Sequence, residues 1–152
     1  MTSTVMRMAA GTDISFERDP ASTPHHLTPA DAAWPRRFRR IVRASLTHRR
    51  QPDLVEPAEL LATELLTNAL RHGTGPTVRF RMRFHDDHLL IEVADGSPTP
   101  PSPRHATPDD ETGRGLFLVD AIADDWGVSG DGTTTWCSLA LTPTPEPAEP
   151  RP

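Results

Sequence analysis

Residues 64–73, "ELLTNALRHG", place a carboxylate, a carboxamide and an imidazole at every fourth position: Glu64, Asn68 and His72. On an α-helix such residues stand nearly above one another, so they form one polar stripe beside the apolar Leu61, Leu65 and Ala69. The stripe must face solvent, a partner or a ligand. A solvated helix face has the same pattern. Two further points along the chain have chemistry of their own. Asp95 closes an apolar strand and is followed by Gly96, which puts an acceptor at a strand tip or simply makes a turn. Gly113, Arg114 and Gly115 stand at the start of a helical pattern, where backbone amides and the helix dipole favour phosphate.

The elements around these residues follow from periodicity. Residues 12–18, "TDISFER", alternate like a short edge strand. From Asp31 the apolar Trp34, Phe38, Ile41, Val42 and Leu46 recur at helical spacing, while Arg36, Arg37, Arg39, Arg40 and Arg43 fall mostly elsewhere; this predicts an amphipathic helix with a basic face. The spacing predicts a second helix with Asp53 as its cap, Pro57 in its first turn and Gly73 as its stop. Val78, Phe80, Met82 and Phe84 then alternate up to Asp86-Asp87, and Leu89, Ile91 and Val93 alternate after it, as in an antiparallel hairpin. Residues 96–112 hold five prolines and form a loop long enough to be functional. A helix over 116–123, a strand near Trp126 and a last strand in "TTTWCSLAL" complete the pattern.

Composition narrows the function. With 152 residues the chain fits one domain, and 17 prolines, about twice ordinary usage, mark parts of it as unstructured. The expected division is a disordered 1–11, a domain over 12–141 and a proline-rich disordered tail over 142–152, with 19–35 as a connector. The net charge of −5 argues against generic nucleic-acid binding. All sixteen basic residues are arginine, which excludes a P-loop lysine or a Schiff base. The single Cys137 reads as a small buried hydrophobe. No run of transmembrane length and no secretion signal are seen, so no membrane role is expected and the cytoplasm is the expected compartment. His25, His26, His85 and His88 lack a metal-site pattern around them.

Taken together the motifs resemble the GHKL (histidine kinase-like, or Bergerat) ATP-binding superfamily over residues 14–141, and within it the anti-sigma-factor serine/threonine kinases and their bacterial ATP-binding relatives. The first motif, E-x-x-x-N-A-x-x-H-G, is "ELLTNALRHG". The second, D-x-G-x-G, is present as "DGSPTPP", with Ser97 in the position of the first glycine and no second glycine. The third is "GRGLFLV", and a terminal strand begins with "GTTTW".

The resemblance implies a two-layer α/β sandwich, with a mixed, mostly antiparallel sheet covered by helices on one face. It implies Glu64 as general base toward an attacking hydroxyl and Asn68 as ligand of the Mg²⁺ that accompanies ATP. His72 would lie near the phosphates or cap the helix. Asp95 would accept from the adenine amino group, with Ser97 beside it, and would repel the guanine carbonyl. Gly113, Arg114, Gly115 and Leu116 would surround the phosphates, Thr133 would donate a hydroxyl, and Arg114 or Arg104 would supply the γ-phosphate cation; Arg104 reads equally as a solvated loop residue. A proline-rich segment after Asp95 makes a stiffer lid than a glycine-rich one.

The implied function is an ATP-binding regulatory protein and serine/threonine kinase in transcription regulation, an anti-sigma factor whose partners are a sigma factor and an anti-anti-sigma protein. A homodimer is compatible with this. Arg39 and Arg43, on the basic helix, are the expected partner contacts, although that helix also reads as a solvated face. Two alternatives stand beside the kinase. One is an ATP-dependent binding switch without catalysis. The other is a sensor histidine kinase fragment, for which "THRRQP" around His48 lacks the acidic residue that should follow the histidine.

Overall fold

Alternation builds the sheet, and the sheet decides where the helices lie. The structure, a computed structural model, describes residues 11–96 and 111–143, with 111–115 described by backbone alone. Its strands are β1 (Gly11–Glu17), β2 (Thr77–Phe84), β3 (His88–Ala94), β4 (Asp125–Val128) and β5 (Thr134–Ala140), in the order β1-β2-β3-β5-β4. The register sets Phe80 between Ile14 and Val93, and Ile91 between Met82 and Cys137, so these alternate residues share one face. Arg79, Arg81 and Glu92, one position along, stand on the other.

Every pairing is antiparallel. The mixed sheet expected from the resemblance differs for a topological reason. Strands β3 and β4 do run parallel, but β5 lies between them, so no parallel pair becomes neighbours.

Among the described residues α1 (Pro29–Ala32) leads into α2 (Trp34–His48), and α2, α3 (Val55–His72) and α4 (Glu111–Ile122) lie over the apolar face. Helix α2 buries Phe38, Val42 and Leu46, a stripe of four-residue spacing, and α3 buries Leu61, Leu65, Leu66 and Leu70 among others. Phe16 stacks on Trp34 at 4.2 Å between ring centroids, and Phe38 meets Phe80 at 4.6 Å, which joins β1, α2 and β2 in one aromatic cluster. The result is the expected two-layer α/β sandwich. Cys137 lies inside it, and burial pushes its thiol up to about 12.

Several boundaries depart from the periodic reading. The basic helix begins at Trp34, not at Asp31, because Asp31 belongs to the short α1 and is buried. Its carboxylate accepts from the Asp19 amide at 3.1 and 3.2 Å and from the Ser22 hydroxyl at 2.6 Å, so the stretch taken for a connector is a built turn. Asp53 does not cap α3. It sits in a single 3₁₀ turn, Pro52–Leu54, and α3 starts behind it without a side-chain cap. Helix α4 starts five residues earlier than expected, at Glu111, and so takes in both glycines of "GRG". An acidic first residue favours that start, and a helical glycine costs only about 1 kcal/mol.

Two pairings lie at the margins of the described residues. Gly11 already pairs with Arg83, and the buried Gln51 side chain holds Thr142 by two 2.9 Å bonds, donating to its carbonyl and accepting from its amide. No helix among the described residues is long and apolar enough to cross a membrane.

Two residues past the end of α2, Arg50 adopts φ 57°, in the left-handed region where glycine is the usual residue; the amides of Arg50 and Gln51 close on Thr47 and Leu46. Arg50→Gly is therefore expected to raise unfolding stability by about 1 kcal/mol, read from the urea midpoint at unchanged slope. A lower midpoint would mean that the arginine side chain contributes more than its backbone strain removes.

Candidate functional site

The buried leucines of α3 fix its rotation, and rotation leaves Glu64, Asn68 and His72 half-buried along the margin of the core. The expected stripe is present. Burial raises the Glu64 carboxyl above the usual carboxylate range, with the Arg71 charge partly offsetting it. Neither Glu64 nor Asn68 makes a side-chain hydrogen bond among the described residues, so both polar ends remain available to a ligand. Asn68 offers one neutral oxygen. That donor suits a cation such as Mg²⁺, which keeps several waters and takes its other ligands from substrate phosphates. Among the described residues no group of three His, Cys, Asp or Glu could hold a metal ion.

Helix α3 stops at Gly73, as its sequence predicts, in an extended and not a left-handed conformation. Glycine is needed there for space. A Cβ on Gly73 would stand 2.5 Å from the Ala69 carbonyl oxygen and 2.6 Å from Asp95 Cβ. A second close approach follows, where a Cβ on Gly75 would lie 2.5 Å from the Gly96 carbonyl carbon, and Gly96 itself adopts φ +68°. The last turn of α3 and the tip of β3 are thereby pressed together. The Asp95 amide donates to the Thr133 carbonyl at 3.0 Å, which brings the start of β5 to the same place. Asp95, Thr133 and the end of the Glu64–Asn68–His72 stripe thus converge, although more than sixty residues separate the extremes in sequence.

The Thr133 hydroxyl donates to Asp131 at 2.8 Å and its amide to the same oxygen at 3.1 Å, while its carbonyl accepts from the Asp95 amide. Ser129 also donates to Asp131, at 2.6 Å, and these three donors hold the Asp131 carboxyl down at about 2.

Helix α4 packs beside α3 and completes a second wall. Gly113 falls in its first turn, where amides lack intrahelical acceptors, while Gly115 lies a step further in, where helical pairing uses the amide. Leu116 is half-buried and Phe117 is 73% exposed. Ser97 and Arg104 lie outside the described residues, as does the side chain of Arg114.

Arg39 and Arg43 belong to a separate surface on α2. Arg43 is engaged within the protein, donating to Glu59 of α3 at 2.6 Å, while Arg39 is exposed and makes no ion pair among the described residues. His85 and His88 stack at 4.6 Å at the opposite end of the hairpin from Asp95, and His88 Nδ1 lies 2.6 Å from Asp87.

Sequence reasoning missed Arg18 and Asp131. Arg18 bonds the carbonyls of Ala69, Leu70 and Gly75, partners 51 to 57 positions away, and nothing local signals that. Asp131 had a visible signal, since "SGDGT" is a turn sequence in which an aspartate commonly accepts from the following backbone.

Residues 28–139 match the family model described as histidine kinase-like ATPase domain. An uncharacterized protein of Streptomyces coelicolor is 40% identical over 88 residues, covering 53% of this chain and 83% of the relative.

The desolvated carboxylate has a measurable consequence. A carboxyl whose folded pKa is raised opposes folding when ionised, and the penalty fades as pH falls through that folded pKa. Glu64→Gln is therefore expected to raise the nucleotide-free Tm at neutral pH, with the difference from the parent narrowing as the solution is acidified. A constant difference across the titration would assign the effect to packing and not to charge.

Proposed function

Because the chain belongs to the histidine kinase-like ATPase domain family, we propose that it is an ATP-dependent protein serine/threonine kinase, acting as an anti-sigma factor that phosphorylates an anti-anti-sigma partner. ATP-dependent chemistry is what the family name describes; the protein substrate is this proposal's own step. The observation that carries it is the placement of Glu64, half-buried, without a hydrogen-bond partner among the described residues and with its pKa raised by burial, one helical turn before Asn68.

In the proposed reaction the hydroxyl of a partner serine or threonine attacks the γ-phosphorus of ATP. The new oxygen–phosphorus bond forms as the bond to the departing ADP breaks, and Glu64 accepts the hydroxyl proton. A raised pKa suits that role, since a stronger base takes a proton more readily. Asn68 would hold Mg²⁺, which supplies charge compensation for the phosphates. Asp95 would accept from the adenine amino group, and the first-turn amides of α4 would meet phosphate oxygens. Partner binding would fall to the exposed arginines of α2, with Arg39 foremost, against an acidic surface.

A binding switch that holds ATP without transfer is favoured by one observation, the run "SPTPP" where the resembled motif has glycines. Two substitutions separate the readings. Glu64→Gln should keep Mg-ATP affinity while transfer to the partner falls by roughly 10²–10⁴-fold, whereas Asn68→Ala should lose affinity and transfer together. Calorimetry and radiolabel transfer from γ-labelled ATP measure the two quantities. Normal transfer by Glu64→Gln would remove Glu64 from the mechanism; no transfer by the parent, with ATP-dependent partner docking intact, would replace the kinase with the switch.

A second outcome is expected from Asp95→Asn, which should weaken ATP binding and strengthen GTP binding, because adenine presents an amino group where guanine presents the carbonyl that the carboxylate repels.

A further inference from the structure

Arg18 leaves the end of β1 and turns its guanidinium onto the last turn of α3. Nη2 donates to the Ala69 carbonyl at 2.7 Å, Nη1 donates to the Leu70 carbonyl, and Nε donates to the Gly75 carbonyl at 3.1 Å. Its own amide donates to the Pro76 carbonyl at 2.7 Å. The final carbonyls of a helix sit at the negative end of the helix dipole, and that of Ala69 also accepts from the Gly73 amide at 2.9 Å. A planar fork of donors brings a cation and several donors to that end with one side chain. The guanidinium is also beside Asp95: Arg18 Nη2 and Asp95 Cβ come within 2.7 and 2.6 Å of the point that a Cβ on Gly73 would occupy.

These contacts make one rigid unit of three pieces. The end of α3 is tied to Gly75 through the guanidinium, Gly75 lies directly against Gly96, and Gly73 lies directly against Asp95. Asp95 itself is held from behind by its amide bond to Thr133. The wall in front of it, residues 73–76, is held by Arg18.

We propose that Arg18 is a specificity-determining positioning residue, which locks the 73–76 turn against Asp95 and so sets the aim of that carboxylate at the nucleobase. This rests on the reading of Asp95 as the adenine acceptor. Arg18 touches no nucleotide atom in this scheme; it acts through Asp95. Loss of the fork lets the turn move relative to the tip of β3, and the carboxylate then meets the adenine amino group in poorer geometry. Phosphate contacts, made at α3 and α4, are left as they were.

The full chain with Arg18→Met, Arg18→Lys and Asp95→Asn, titrated by calorimetry with Mg-ATP and Mg-GTP, tests this. The expected result for Arg18→Met is a fall of about tenfold or more in ATP affinity with little change for GTP, so that base selectivity narrows. Arg18→Lys, whose ammonium cannot present three donors in a plane, should recover part of the selectivity. A purely structural role would weaken both nucleotides in proportion and leave their ratio at the parental value, and that result overturns the proposal. If Arg18→Met does not yield folded protein, Arg18→Lys decides on the same ratio: narrowed selectivity supports the proposal, parental selectivity overturns it. If Asp95→Asn binds ATP as the parent does, the adenine reading falls and takes this proposal with it. A parental ratio in the Arg18 variants with Asp95→Asn impaired removes this proposal alone.

Discussion

One helix must both close the core and carry the polar stripe, and most of the molecule is arranged around that constraint. Helix α3 buries seven side chains against the sheet and its neighbouring helices, yet Glu64, Asn68 and His72 lie on the same eighteen residues. Tight packing of the leucines leaves the helix no freedom to rotate or slide, because a shift that exposed them would forfeit about 2 kcal/mol or more for each. The stripe inherits that rigidity. Positional accuracy at a site therefore comes from apolar burial a few ångströms away, and its penalty is visible in Glu64, whose charge is partly desolvated by the same packing.

Rigidity of α3 would be of little use if its end frayed, and the C-terminal end is where the site turns from the stripe toward Asp95. Two kinds of residue close it. Glycines at 73, 75 and 96 remove the side chains that would hold helix and sheet apart, and Arg18 donates to the carbonyls of Ala69 and Leu70 in the helix and of Gly75 beyond it. The chain then continues from Arg18 into Asp19, whose amide binds buried Asp31, and from there into α1 and α2. The β1–α2 segment is thus anchored at the same pole of the molecule as Asp95.

Local patterns were legible where chemistry is local. The hairpin of β2 and β3, the amphipathic faces of α2 and α3, the stop at Gly73 and the four-residue spacing of Glu64, Asn68 and His72 all depend on residues within a few positions of one another, and the structure has them as the sequence suggests. Illegible features depend on partners far along the chain. Asp31 read as the first residue of a helix because its acceptors' partners, Asp19 and Ser22, lie in a proline-rich stretch that composition marks as a connector. Arg18 read as the end of a strand. Asp53 read as a cap because its type fits one, and Pro52 instead opens a 3₁₀ turn ahead of the helix. The start of α4 was misplaced because two glycines outweighed an acidic first turn, although a glycine weakens a helix without forbidding it. As for the candidate site, the stripe on α3 is visible in spacing and its expected roles come from the resemblance, whereas its convergence with Asp95 and Thr133 is a product of strand order, which no short window contains.

The all-arginine composition acquires a physical sense in this fold. Arg18 uses its fork on three carbonyls; Arg79 grips Asp13 with two bonds of 2.8 and 2.6 Å; Arg37 and Arg49 lie over the rings of Trp34 and Phe84 at 4.9 and 4.4 Å. Each of these tasks needs a flat cation with several donors or a stackable face, which an ammonium does not offer. Exposed pairs of this sort contribute little to stability, so their effect is to fix geometry. The same accounting narrows the basic face of α2. Arg37, Arg43 and Arg49 are committed to Trp34, Glu59 and Phe84, whereas Arg36, Arg39 and Arg40 are exposed and make no ion pair among the described residues. Positive charge free to meet an acidic partner is therefore concentrated in the first half of α2, beside the aromatic cluster of Phe16, Trp34 and Phe38, and the Arg43–Glu59 pair marks where that surface ends and the contact with α3 begins.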